Sequence, residues 1–267
     1  MSESLSLLLT NDDGVDSTGF RALYDALDAV ADVTAVAPAD DQSAVGRQLS
    51  ADVDVAEHEL GYVVHGTPAD CTVVGLEALC PDVDMVVAGC NKGANLGAYV
   101  LGRSGTVSAA VEAAFFDVPA IAVSMYVPPS GDTPWNETAE DPADYRHATA
   151  AATYLVDRAP EAGVFEEAEY LNVNAPMATD DEDEPASLEV TTPSTLYEMT
   201  AKRNEENERI TLHDGVWEMM RGGDLPDPEG TDRRAVVEGR VSVSPLTAPH
   251  TTRHHDALDS LAESYQA

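Results

Sequence analysis

The hydrophobic pattern of the first 125 positions alternates between short apolar runs and segments with helical spacing. The run at 4–10 predicts a strand, and the spacing of Phe20 and Leu23 predicts a helix after it. A second apolar run at 33–37 ends at Pro38. A β-α-β unit of this size predicts parallel strands joined by a right-handed crossover.

The same alternation predicts the rest of an α/β core. Thr67 and Pro68 are typical of the start of a helix, as N-cap and first helical residue. The remaining predicted elements are a hairpin at 53–55 and 62–65, helices at 68–79, 105–116 and 142–158, and strands at 85–88, 120–125 and 170–174. This order is that of a doubly wound, mostly parallel sheet.

The second half of the chain is less regular. Residues 195–230 lack a clear period and predict hairpins or an extended arm. Asp232 is expected to cap a short helix that ends at Gly239. A strand at 241–243 and a terminal helix at 254–265 complete the prediction.

Charge narrows the classes of partner. Among 267 residues there are 49 Asp and Glu against 14 Lys and Arg, which gives a formal net charge of −35. Binding of duplex nucleic acid or of an anionic membrane needs clustered basic residues, so we expect neither partner. The carboxylates are spread along the whole chain, and self-repulsion between them is screened at high salt. We therefore expect a protein from a salt-loving organism, with the acidic run at 179–185 forming a solvated turn.

The three cysteines indicate a reducing compartment. Cys71, Cys80 and Cys90 match no paired zinc-binding spacing, and the sequence shows neither a secretory signal nor an apolar run of 18 residues. We expect buried thiols in a cytoplasmic protein.

Two loops that follow predicted strands carry charged side chains. Asp12 and Asp13 come directly after the first strand, where burial of two like charges is unfavourable unless a cation or hydrogen-bond donors balance them. Such hard oxygen ligands suit magnesium or manganese. The alternative is that one aspartate only caps the following helix. The loop at 38–47 offers a hydroxyl, carboxylates and one arginine, and by itself is typical of a plain turn.

A third loop is more specific. The glycine-rich segment at 89–97 carries Asn91 and Asn95, whose amides can bind a metal or a substrate. A helix N-terminus follows it, where hydroxyls and free backbone N–H groups favour an anion. The residues of this predicted anion site are Ser104, Gly105 and Thr106.

A metal site beside a phosphate site favours phosphate-ester hydrolysis. None of these loops contains the glycine pattern of a dinucleotide-binding fold or of a P-loop. A phosphatase of the haloacid-dehalogenase type is an alternative, but Asp12 and Asp13 are adjacent and lack the spacing of its nucleophile motif. A non-catalytic nucleotide sensor is the other alternative, since a fold does not fix a function.

Several motifs in order resemble one family. They are LTNDDG at 9–14, VAP at 36–38, QS at 42–43, GTPADC at 66–71, GCNKGANLG at 89–97, SGTV at 104–107 and VSVSPL at 241–246. Together they resemble the SurE family of 5′/3′-nucleotidases over nearly the whole chain. The resemblance implies hydrolysis of nucleoside 5′-monophosphates, with 3′-monophosphates as a second substrate class.

The resemblance also implies a set of site residues. One divalent ion per subunit, Mg²⁺ or Mn²⁺, is expected at Asp12, Asp13, Ser43 and Asn91, with Asp12 taking part in catalysis. The phosphate is expected near Asn95, Ser104, Gly105 and Thr106. A histidine acting as general acid is expected after 245–246, with His254 as the first choice and His250 and His255 as alternatives.

The family further implies a single domain spanning 1–267. Its Rossmann-like three-layer α/β/α core would occupy about 1–175, and an extension with a hairpin, the late strand and the terminal helix would occupy about 176–267. Exchange of the C-terminal arm between subunits would give a homodimer or homotetramer.

Overall fold

A computed structural model describes residues 4–128, 134–179, 184–204, 209–223 and 225–248, together with helical positions at 257, 259 and 261. The strands are β1 (Ser6–Thr10), β2 (Asp32–Pro38), β3 (Asp54–His58), β4 (Gly61–His65), β5 (Met85–Lys92), β6 (Ala120–Tyr126), β7 (Tyr170–Pro176), β8 (Leu188–Val190), β9 (Met199–Arg203), β10 (Ile210–Asp214) and β11 (Val241–Leu246). The helices are α1 (Thr18–Asp28), α2 (Pro68–Val74), α3 (Ala98–Leu101), α4 (Gly105–Phe115), α5 (Arg146–Arg158), α6 (Val216–Gly222) and α7 (Asp232–Val237).

Nine strands form one sheet in the order β3-β4-β2-β1-β5-β6-β7-β11-β8. The six central strands from β4 to β7 are parallel, whereas β3 and β11 join them antiparallel. The hairpin β9–β10 forms a separate two-stranded sheet. The prediction of a mostly parallel α/β fold is therefore confirmed.

Strand β1 shows why the sheet is covered on both faces. Leu7 and Leu9 pack in the cluster that contains residues of α1 and α5, whereas Leu8 packs in the cluster that contains residues of α2 and α4. Successive side chains of a strand point to opposite faces, so an unbroken apolar run needs helices on both sides. Within the described residues, α5 is the longest helix at 13 residues, and none is long and apolar enough to cross a membrane.

Helix α2 begins where the sequence predicts. Thr67 occupies the N-cap, and its hydroxyl accepts from the backbone N–H of Asp70 at 3.1 Å. The Asp70 carboxylate in turn accepts from the Thr67 N–H at 2.8 Å. This reciprocal pair satisfies two N–H groups that a helix start leaves unpaired.

Three elements differ from the prediction. Strand β5 continues to Lys92, four residues beyond the predicted end at Ala88. The region expected to form hairpins contains β9 and β10 but also α6, which has no clear period in the sequence. The predicted terminal helix lies mostly outside the described residues.

The strand order places β1 and β5 side by side at the centre. From β1 the chain moves to β2 on one side, and from β5 it moves to β6 and β7 on the other. A crevice opens outside the carboxyl ends of two strands at such a reversal, where doubly wound proteins bind their ligands. The loops after β1 and β5 are therefore the expected place for chemistry.

Candidate active site

Hydrogen bonds join the loops at the end of β1, β2 and β5. The carbonyl of Asp12 accepts from the N–H of Gln42 at 2.7 Å, which ties the loop after β2 to the loop after β1. The N–H of Lys92, at the end of β5, donates to Asp13 Oδ2 at 2.8 Å. The structure therefore brings the two predicted aspartates next to the end of β5, where Asn91 lies.

Asp12 is buried against the start of α4. Its Oδ1 accepts from the Thr106 hydroxyl at 2.6 Å, and the residue is only 4% exposed. Gly105 lies so close that a Cβ atom there would be 2.7 Å from Asp12 Cβ. The tight turn at the start of α4 thus fixes the position of this carboxylate.

Burial and neighbouring charge perturb both carboxyls. Burial raises the pKa of Asp12 above its ordinary value even though Thr106 hydrogen-bonds to it. Burial and the negative charge of Asp12 raise the pKa of Asp13 to about 7. Asp41 adds further negative charge to both groups. An acidic cluster with these properties favours a bound cation, which would offset the repulsion.

Ser43 lies at the same cavity as Asp13. Its hydroxyl and its N–H both contact Asp41 Oδ1, at 2.6 Å and 2.8 Å. A cavity of about 340 Å³ is lined by Asp13, Asp41, Ser43 and Lys92, among others. The hydroxyl of Ser43 therefore has Asp41 as its partner and lies on the side of the site that faces solvent.

The side chain of Asn91 is oriented by its own loop. Its Nδ2 donates to the carbonyl of Gly93, so Oδ1 is the side-chain atom that remains as a ligand for a cation. Together with the carboxylates and the hydroxyl, this amide completes an all-oxygen donor set. Magnesium and manganese prefer such sets, so the residues present fit either ion. Among the described residues no group of three or more His, Cys, Asp or Glu side chains could hold a metal, so the proposed set depends on serine and asparagine in addition to the two aspartates.

The start of α4 has two roles. Ser104 is the N-cap, and its hydroxyl accepts from the N–H of Val107 at 3.1 Å. The Thr106 side chain, expected near the phosphate, instead donates its hydroxyl proton to Asp12. At this helix N-terminus the backbone N–H groups and the Ser104 hydroxyl are the remaining donors for an anion.

Asn95 is held in a network of buried amides. Its Nδ2 donates to the Ser124 hydroxyl at 2.9 Å, and its N–H donates to Asn174 Oδ1 at 2.8 Å. Its carbonyl accepts from Asn172 Nδ2 at 2.9 Å. Residues on β6 and β7 thus fix the loop that carries Asn95, and the residue is 6% exposed.

Two supporting residues are not evident from the sequence. Asp41 follows Asp40 in a loop that resembles a plain turn, and its proximity to Asp12 and Asp13 depends on the pairing of β1 with β2. The expectation that Asp232 caps α7 is wrong, because Thr231 occupies that position. The Asp232 carboxylate instead accepts from the N–H of Gly97 at 2.6 Å and so anchors the loop that contains Asn95. Nothing local to the sequence signals a contact across 135 positions.

The histidines predicted as general acid lie beyond the described part of the chain. They are His254, the first choice, and the alternatives His250 and His255.

The arrangement can bind a cation and an anion side by side. The buried carboxylate of Asp12 contacts a helix N-terminus through the hydrogen bond from Thr106, and Asp13 is its neighbour in the chain. An electrophilic ion and anion-binding N–H groups at this separation suit a phosphate ester, whose oxygens can contact both.

Comparison with known proteins points to one family. The family model for survival protein SurE matches residues 7–199. The chain is 66% identical to "5′-nucleotidase SurE" of Haloquadratum walsbyi over 99% of this chain and 98% of that protein. It is 64% identical to the protein of the same name from Haloarcula marismortui, over 98% of this chain and 95% of that one. The crystal structure of the SurE protein from Aquifex aeolicus, 27% identical, superposes with a TM-score of 0.72 over 98% of this chain and 99% of that chain.

Proposed function

The chain belongs to the survival protein SurE family and is a 5′-nucleotidase, and we propose that it releases phosphate from nucleoside monophosphates at the loops after β1, β2 and β5. One observation carries the assignment of the site. The buried carboxylate of Asp12 lies against the N-terminus of α4 through the 2.6 Å bond from Thr106, and the half-buried Asp13 follows it directly in the chain. This contact supports our proposal of a cation site beside an anion site at the same crevice.

Asp12, Asp13, Ser43 and Asn91 would hold one divalent ion, Mg²⁺ or Mn²⁺. When bound, the ion supplies positive charge that polarises a phosphoryl oxygen and lowers the pKa of a water molecule. The chain itself orients the ligands, since Thr106 holds Asp12 and the N–H of Lys92 holds Asp13.

The phosphate would bind at the start of α4. Backbone N–H groups of Gly105 and Thr106 and the hydroxyl of Ser104 would hold its oxygens as charge shifts during the reaction. Asn95, whose Nδ2 donates to the Ser124 hydroxyl, would also lie near the phosphate. A histidine, with His254 as the first choice, or a water molecule would protonate the leaving ribose hydroxyl.

The extension would serve oligomerisation. The separate hairpin β9–β10 exposes apolar side chains, among them Ile210 at 58% and Leu212 at 71% exposed. Exposed apolar clusters mark surfaces that contact another chain. We propose a homodimer or homotetramer in which this arm is exchanged.

The cellular setting follows from thiols and charge. Cys71 and Cys90 are buried and all three cysteines are free, which suits a reducing cytoplasm. The net charge of −35 and the similarity to proteins of halophilic archaea support adaptation to high salt.

Phosphate release from a panel of nucleoside monophosphates, with and without EDTA and at low and high salt, tests the proposal. We expect release that EDTA abolishes and that Mg²⁺ or Mn²⁺ restores. Release that survives EDTA would contradict the metal site. An acid-stable, base-labile phosphoenzyme would indicate the haloacid-dehalogenase reaction, and tight nucleotide binding without release would indicate a sensor.

The variant Asp12→Asn tests the assignment of residues. We expect turnover to fall at least ~100-fold, because this carboxylate is placed in the ion site. Asp28→Asn, at an exposed carboxylate on α1, is the control and should keep normal turnover. Near-normal turnover of the Asp12 variant would show that Asp12 is not part of the ion site.

A further inference from the structure

A cavity next to the carboxylate site is lined by aromatic side chains from three parts of the chain. Tyr126 ends β6, Trp135 lies in a short 3₁₀ turn, and Trp217 lies on α6 in the C-terminal extension. The cavity has a volume of about 340 Å³, and Arg221 completes its wall. Trp217 and Arg221 are four positions apart and so lie on the same face of α6.

This cavity adjoins the proposed metal site. Trp135 lines both the aromatic cavity and the cavity of Asp13 and Ser43. Gly93 lies between the two, since a Cβ atom there would be 3.7 Å from Asn91 Nδ2 and 3.7 Å from Cζ2 of Trp135. A nucleotide whose phosphate binds at the metal site would therefore have the aromatic cavity beside it, where Trp135 and Trp217 could contact its base.

We propose that this aromatic cavity binds the nucleobase of the substrate, a proposal that rests on the function proposed above. Trp135 is 56% exposed, so a base has access to its ring. Stacking on aromatic rings binds every base through its π-face, and a purine offers the larger area. The guanidinium of Arg221 only donates hydrogen bonds and thus suits the acceptor atoms on a base edge.

The chemistry of the wall supports a base over a second phosphate. Burial raises the pKa of Tyr126 despite the nearby charge of Arg221, so its phenol stays neutral and can donate or accept. The side chains of Tyr126, Trp135 and Trp217 give a mainly apolar surface, and a purely phosphate-binding site would need more donors. The proposal assigns α6 to substrate selection, in addition to any role of the extension in assembly.

Intrinsic fluorescence tests the proposal without catalysis. The chain has two tryptophans, and both line this cavity. In EDTA, guanosine and guanosine 5′-monophosphate should quench the emission, whereas ribose 5-phosphate should not. Equal quenching by ribose 5-phosphate, or no quenching by guanosine, would overturn the proposal.

The variant Trp135→Ala tests it through kinetics. We expect KM for guanosine 5′-monophosphate to rise roughly 5- to 100-fold, with ribose 5-phosphate hydrolysed at the normal kcat/KM. Trp135→Phe retains an aromatic face and should restore most of the affinity. Tyr154→Ala, which removes an aromatic residue of similar exposure (57%) from α5, is the control. It should leave KM and kcat/KM unchanged for both substrates.

The outcomes separate this proposal from the proposed function. Equal losses on both substrates in Trp135→Ala would show a structural role and overturn the base site while leaving the nucleotidase intact. If the wild-type protein releases phosphate from neither substrate but guanosine still quenches, the base site stands and the assigned reaction fails.

Discussion

Gly105→Ala is a sharp test of how the start of α4 positions Asp12. A Cβ atom at Gly105 would lie 2.7 Å from Asp12 Cβ, 2.9 Å from its Oδ2 and 3.1 Å from Cγ of Pro68. Carbon atoms pack at about 3.5–4.0 Å, so the aspartate would have to move by ~0.8 Å. Such a movement would strain or break its 2.6 Å bond to Thr106.

The expected magnitudes follow from these contacts. Alanine is the better helix former by about 1 kcal/mol, which favours the variant. Overpacking costs about 1–3 kcal/mol, and loss of a hydrogen bond to a charged group costs about 1.5–3 kcal/mol. We therefore expect a net loss of about 1.5–5 kcal/mol in the free energy of unfolding. Turnover should fall about 100-fold, because a displacement near 1 Å is enough to misalign a reacting group.

Urea unfolding at constant high KCl measures the loss of unfolding free energy, and phosphate release measures the loss of turnover. Gly102→Ala is the matched control. This glycine has an ordinary φ of −73°, and an added Cβ would meet no atom within 4 Å. The control should be as stable and active as the wild type. If Gly105→Ala matched the control in both assays, the argument that close packing fixes Asp12 would be wrong.

Three further predictions concern hydrogen bonding, pH and salt. Thr106→Val should weaken metal binding and lower stability by about 2 kcal/mol, and Thr106→Ser should restore both; equal calorimetric affinities in the two variants would contradict this. Burial raises the pKa of Asp70, but hydrogen bonds from Ser50 and Thr67 outweigh it and hold the pKa below its usual value. This carboxylate therefore stabilises the fold above about pH 4, and its contribution is lost as the pH falls through the lowered pKa. The difference in unfolding free energy between wild type and Asp70→Asn should narrow as the pH falls below about 4, and a constant difference would refute the reasoning. Because salt screens the repulsion within a net charge of −35, the midpoint temperature of unfolding should increase when KCl is raised from ~0.1 M to ~3 M. A midpoint that decreased with salt would contradict adaptation to high salt.

Local patterns determined the core of the fold. The unbroken apolar run of β1 required cover on both faces, and Thr67 with Pro68 located the start of α2. Both signals depend only on neighbours in the sequence, which is why the sequence alone predicts them. The candidate residues Asp12 and Asp13 could also be predicted from the sequence, since their position directly after an apolar strand is a local feature.

The supporting contacts of the site were not local. The pairing of β1 with β2 and β5 brought Asp41 and the N–H of Lys92 to the aspartates. The role of Asp232 depends on a contact with Gly97, 135 positions away. No period or capping pattern encodes such a contact, because it arises only when separate elements pack.

Thr106 and Trp217 show most clearly which features follow from the local sequence and which follow only from the tertiary structure. The sequence by itself determined that a helix begins beside Thr106, which favours an anion there, but only the tertiary structure decided that its hydroxyl serves Asp12. No helical period surrounds Trp217 in the sequence, and only the fold places this residue in the cavity beside Trp135. The physical reason is that secondary structure follows from residues a few positions apart, whereas a site is built by the packing of strand ends and helices that are distant in the chain.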